Sequence, residues 1–132
     1  MLVGAMIPHL PRISIATLPH KSQNYDTAGD YMEVNGSNAW VMRVSELPDW
    51  RYEALITVHE LVEMLLTKHR GIGWEKITAF DLASDHPDPG SLEDAPYHKE
   101  HMFAEKIEKM LAKELGVKWK DYNEALDALE HV

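Results

Sequence analysis

Cysteine is absent from the 132-residue chain, which removes thiolate metal sites and disulfides from consideration. That absence sits with a reducing compartment, and a cytoplasmic location is the expectation. Long apolar runs are missing too. No stretch approaches the roughly 18 apolar residues of a membrane span, so no membrane partner is expected. The opening segment, Met1 to Pro8, is apolar, yet it has no basic flank and is too short for the apolar region of a secretory leader. Basic residues are scarce: 13 Lys and Arg stand against 22 Asp and Glu, a net charge of −9. A surface of that sign repels phosphate backbones, so no nucleic acid is expected as a ligand. No repeat, low-complexity tract or linker divides the chain, and its length suits one domain over 1–132 with its own core.

What the chain does have is His59-Glu60-Leu61-Val62-Glu63, set in an apolar helical run. At about 100° per residue, Glu63 falls roughly 40° from His59, so imidazole and carboxylate share one face. Leu55, Val62 and Leu66 flank the pair on one side and Ile56 on the other, which centres it on the apolar stripe. Burying such groups without partners costs several kcal/mol, so each needs a strong one. A metal ion is one such partner; a mutual His–Glu pair is another. Glu60, at about 100° from His59, edges the stripe within reach of both site and solvent.

Further ligands occur in Tyr97-His98-Lys99-Glu100-His101-Met102-Phe103-Ala104-Glu105, at the start of a second amphipathic run. The stripe expected there is Phe103, Ala104, Ile107, Met110, Leu111 and Leu115. His101 borders it, with Glu105 and His98 progressively nearer solvent. The expected donor set is therefore His59, Glu63 and His101, with Glu105 and His98 as possible additions. Two imidazoles and a carboxylate leave a bound dication with net charge near +1, and an open fourth position suits catalysis. Glu105 as a fourth ligand would instead close a structural site. Zinc is the expected ion, although this donor set also accepts iron, cobalt or manganese.

The motif resembles the His-Glu-x-x-His helix of the zincin metallopeptidases, with Glu63 standing where that family has its second histidine. The chain is also similar, over most of its length, to small phage and prophage proteins of uncharacterised function. They carry a His-Glu-Leu-Val-Glu helix followed by Ala-Pro-Tyr and Glu-His, here Ala95-Pro96-Tyr97 and Glu100-His101. The zincin resemblance implies a zincin-like fold, His59 as a zinc ligand and Glu60 as general base. The implied activity is hydrolysis of a peptide or amide bond in a peptide or protein substrate. Zinc would polarise the carbonyl and acidify its water, and Glu60 would carry the proton to the leaving nitrogen. Tyr97 or His98 would steady the oxyanion. A phage or prophage origin would put the protein in the cytoplasm of a bacterial host.

The expected fold class is α+β: a small antiparallel sheet, containing a hairpin, in the N-terminal half, packed on the active-site helix and a second C-terminal helix. Strands are predicted around 12–17, 31–34 and 38–44, with Asn35-Gly36 as a hairpin turn. In the last strand either Ala39 and Val41, or Trp40 and Met42, face the core. A helix over 51–69 follows, N-capped by Asp49 and stopped by Gly71 and Gly73. A short helix over 74–82, an acidic loop over 84–96 and a tail helix over 119–129 complete the chain. The loop does not match a calcium-binding EF-hand. An exposed sheet edge offers a place for an extended peptide. Three rivals stay open: a non-catalytic metal module closed by Glu105, a di-metal carboxylate protein, and a phage structural or partner-binding protein in which His59 and Glu63 merely pair.

Overall fold

The computed structural model describes residues 9–34 and 37–129, and the readings of Met1–Pro8 as no leader and of Asn35-Gly36 as a turn lie outside them. The chain forms β1 (Arg12–Leu18), β2 (Gly29–Glu33) and β3 (Ala39–Ser45), then α1 (Trp50–His69), α2 (Trp74–Ala83), α3 (His98–Glu114) and α4 (Trp119–Leu129). Short 3-10 turns occupy His20–Ser22 and Pro89–Ser91. The class is α+β, as expected, but the sheet is mixed rather than antiparallel. Its order is β1-β3-β2, with β2 antiparallel to β3 and β1 parallel to it.

The connection between β1 and β2 explains this difference. Residues 19–28 are long enough to cross two strand spacings, about 10 Å, at one end of the sheet. β3 therefore enters between the two earlier strands instead of extending a meander. The connection is pinned across the end of β3: Ser45 N–H donates to Ala28 O and Glu46 N–H to Leu18 O, both at 2.8 Å. The imidazole of His20 adds a bond to Ser45 Oγ at 2.8 Å. The most apolar strand thus becomes central, and its open choice of faces resolves to Trp40, Met42 and Val44 inward, all buried.

α1 lies across that inner face. Asp49 caps it by accepting from Arg51 N–H, one of the free amide donors at its start, while Glu53 accepts from Leu47 N–H and fixes the incoming chain. Arg51 also donates to Leu115 O, tying the start of α1 to the end of α3. At the other end Gly71, at φ +72°, takes the left-handed conformation that lets Ile72 N–H bond back to Thr67 O. Gly71 alone ends α1; Gly73 serves as the N-cap of α2. Leu55, Ile56 and Met64 from α1 join Tyr31, Met42 and Val44 in the core.

α3 packs along α1 on a face rotated from the predicted stripe, keeping Ala104 buried and Leu111 and Leu115 against the core. Its buried residues are Glu100, His101, Ala104, Glu108 and Ala112, whereas Phe103 is 48 % and Met110 59 % exposed. Two buried glutamates and a histidine displace the larger apolar side chains from the interface. Such a face is stable only if those charges are paired. No helix among the described residues is long and apolar enough to cross a membrane.

Candidate metal centre

α1 delivers His59 and Glu63 one turn apart, and α3 delivers His101 opposite them. His59 Nε2 lies 3.2 Å from Glu63 Oε2 and 3.2 Å from His101 Nδ1; His101 Nδ1 lies 3.0 Å from Glu63 Oε2. The three atoms form a nearly equilateral triangle. Neighbouring donors of a tetrahedral zinc site sit about 3.3 Å apart at usual Zn–N and Zn–O lengths, so the triangle has the size of one face of such a site. Among the described residues this is the one group of His and acidic side chains placed to share an ion.

The far side of each donor is also held. His59 Nδ1 lies 2.7 Å from Glu108 Oε1, and the other oxygen of Glu108 accepts from the Tyr122 hydroxyl at 2.5 Å. His101 Nε2 lies 3.1 Å from Asp88 Oδ1. Glu63 Oε1 accepts from the Tyr31 hydroxyl at 3.0 Å. A carboxylate on the outer nitrogen of each histidine makes that nitrogen the N–H. The inner nitrogens then present lone pairs, facing each other and a carboxylate oxygen. Three acceptors at that spacing repel unless a cation sits among them, either a metal ion or protons shared between them. The donor set and its supports thus fit a divalent ion.

The protonation tendencies carry the same message. Burial would lower the His59 imidazole, but hydrogen bonds to Glu108 and Glu63 outweigh it and hold the group well above its ordinary range. Burial likewise opposes the His101 proton, yet Asp88 and Glu63 raise that imidazole to about 10. For Glu63, burial is overcome by the two imidazoles, which hold the carboxyl at about 2. In the absence of metal, protons take the cation's place.

Glu60 stands apart from the triangle. Its side chain lies against Gly29 at the start of β2, where an added Cβ would come 2.6 Å from Ile56 Cγ2 and 2.7 Å from Glu60 Cγ. Only glycine allows the strand to approach α1 this closely. Burial and then the neighbouring Glu63 charge push the Glu60 carboxyl well above its usual range. Gly90 makes a second close approach, its Cβ position falling against the His101 ring. The loop over 84–96 thereby lies directly on the His101 ring.

The remaining predicted residues fall around this centre. Glu105 does not join the triangle; its carboxylate is 3.9 Å from Lys109 Nζ. His98 Nδ1 is bonded to Gly90 O at 3.0 Å, towards the loop. Tyr97 is buried, its ring edge-on to His101 with centroids 5.9 Å apart, and its hydroxyl donates to Asp81. Burial, only partly opposed by hydrogen bonds from Tyr97 and Tyr25, raises Asp81 to about 6. His59, Glu60, Glu63 and His101 all line a solvent-open cleft of about 740 Å³.

Sequence reasoning missed Glu108, Asp88, Tyr31 and Tyr122. Glu108 was within reach, since seven residues after His101 return to within roughly 20° of it on a helix. Asp88 sits in an irregular loop, and the two tyrosines come from a strand and a distant helix, where no local periodicity points to them. No family model, curated protein or solved structure matches the chain.

Proposed function

We propose that the protein is a metal-dependent hydrolase, of zincin-like type, acting on a peptide or amide bond with Glu60 as general base. The observation that carries this reading is the triangle of His59 Nε2, Glu63 Oε2 and His101 Nδ1 lining the cleft, with each residue held from behind. A bound dication, zinc by preference, would supply Lewis acidity to a carbonyl and make a water easier to ionise.

The chain's own residues do the rest. His59, Glu63 and His101 hold the ion, while Glu108, Tyr31 and Asp88 fix their orientations. Glu60 lines the same cleft next in sequence to His59. From there its carboxylate can take a proton from water and return it to a leaving nitrogen. Tyr97 contributes through its packing on His101, since its hydroxyl is engaged by Asp81. The closed-module rival needs Glu105 as a ligand, and the position of that carboxylate beside Lys109 disfavours it.

Elemental analysis of protein purified without chelator or metal-binding tag should find one metal ion per chain. Glu60→Gln should keep the ion and lose turnover of a general peptide substrate by about a hundredfold or more. His59→Ala should lose both. Metal-free protein of full stability, or a Glu60→Gln variant as active as the parent, would overturn the reading.

A further inference from the structure

Phe103 and Met110, expected against the core, are instead exposed on the outer face of α3, with Met102 exposed beside them. Large apolar side chains grouped on one exposed face form a patch, unlike the singly scattered ones that any surface carries. None of these lines the cleft. Lys99, Lys106 and Lys113 are exposed on the same helix, and they have no ion pair among the described residues.

The order of these residues is regular. They run Lys99, Phe103, Lys106, Met110, Lys113, at alternating steps of four and three, the repeat that keeps one helix face turned to another helix. At about 100° per residue the five fall within an arc of roughly 80°, on the side of α3 opposite His101. The seam is roughly 21 Å long, about four turns. No carboxylate occupies a seam position, although the chain as a whole carries a net charge of −9.

This pattern discriminates among occupants. A second copy of the chain would bring only more lysines to the seam and no acid, so like charges oppose self-pairing. A bilayer fits poorly as well. Helices that lie in a lipid surface keep a continuous apolar centre with charges at its margins. Here Lys106 separates Phe103 from Met110 along the seam, and the three lysines fall between Met102 and that pair around it. A helix with carboxylates opposite the lysines and apolar residues between them satisfies both halves of the pattern. Screening over about 8 Å at physiological salt mutes repulsion from the acidic remainder of the surface but spares contacts across the seam.

We infer that the outer face of α3 docks an acidic amphipathic helix of a partner protein, its apolar side chains on Phe103 and Met110 and its carboxylates on Lys99, Lys106 and Lys113. The seam shares no residue with the metal centre, so the inference stands or falls apart from the hydrolase reading.

The test titrates the full-length protein with two capped, helix-stapled peptides of about three heptads. Both carry Leu at the positions facing Phe103 and Met110; one has Glu and the other Lys at the positions facing the lysines. Fluorescence anisotropy at about 0.1 M salt should show the Glu peptide binding about tenfold tighter or more, the preference shrinking towards about 1 M salt. Lys99→Glu with Lys106→Glu and Lys113→Glu should reverse the preference, a result that a damaged fold could not give. Phe103→Ser with Met110→Ser should weaken the Glu peptide about tenfold or more with the circular-dichroism signal unchanged. Lys68→Glu with Lys76→Glu alters exposed lysines away from α3 and should leave the preference in place. Equal binding of the two peptides, no saturation by the Glu peptide up to about 1 mM, or no reversal in the triple variant overturns the inference. Tighter binding to phosphatidylserine vesicles than to the Glu peptide, abolished by the triple variant, overturns it in favour of a lipid surface. A dimer in sedimentation equilibrium that Phe103→Ser with Met110→Ser dissolves overturns it in favour of self-pairing.

Discussion

Glu108 lines the cleft, yet it acts from behind the triangle rather than within it. It is buried, bonded on one side to His59 and on the other to Tyr122, and so sets which nitrogen of His59 faces inward. Glu108→Gln keeps the shape but weakens the acceptor, and we expect metal affinity to fall about 10- to 100-fold, read by competition with a chromophoric chelator. Tyr122→Phe should show a smaller loss, because it removes one bond from the supporting carboxylate. The imidazoles make a second prediction at this scale. Both are raised in pKa in the metal-free protein, so metal must expel protons to bind. Glu63, held at about 2, is already ionised and releases none. Apparent affinity should therefore climb with pH across the neutral range, approaching roughly a hundredfold per unit as two protons leave. A pH-independent affinity would contradict the assignment of the two histidines. The His59–Glu63 pair was legible because a four-residue spacing survives folding unchanged. His101 was legible through its closeness to Ala104, which is fully buried. Asp88 was not, because nothing in a Pro-containing loop fixes which acid turns inward.

Elements carried mixed legibility for physical reasons. The bounds of α1 follow from its capping residues and those of α4 from apolar periodicity, and the structure has them within a residue of expectation. The contact face of α3 did not follow from hydropathy, because Glu108 and His101 are more valuable there as partners of α1 than Phe103 or Met110 would be as apolar filling. The parallel placement of β1 was hidden as well, since strand sequences do not state which neighbour they join. The loop over 84–96 owes its position to Gly90. A methyl group there would meet His101 Nδ1, a proposed donor atom, at 2.5 Å. Gly90→Ala should leave the helical circular-dichroism signal intact while costing about 1–3 kcal/mol in combined loop strain and metal binding. Unchanged chelator competition in that variant would mean the loop yields freely and does not seat the ring.

At the scale of the whole molecule, the metal centre lies beside the core rather than within it. Met42, Val44, Leu55 and Met64 are fully buried without involving any donor. Chelation should therefore lower the melting temperature without unfolding the protein at 25 °C, in contrast to small domains whose structure depends on zinc. The size of that drop should depend on pH. Without metal, the His101 imidazole, raised to about 10, stabilises the fold fully below its ordinary 6.5 and loses that contribution as pH rises through 10. Scanning calorimetry of loaded and chelated protein should show their melting temperatures diverging as the solution becomes alkaline.

The arrangement of the centre also bears on biosynthesis. Its donors are drawn from positions 59, 63 and 101, and the carboxylate that orients the first of them is at 108. A nascent chain with only α1 outside the ribosome offers one imidazole and one carboxylate, too few to retain an ion. The proposed donor set is complete only once α3 has emerged and docked, so any ion it holds is acquired after α1 has been made.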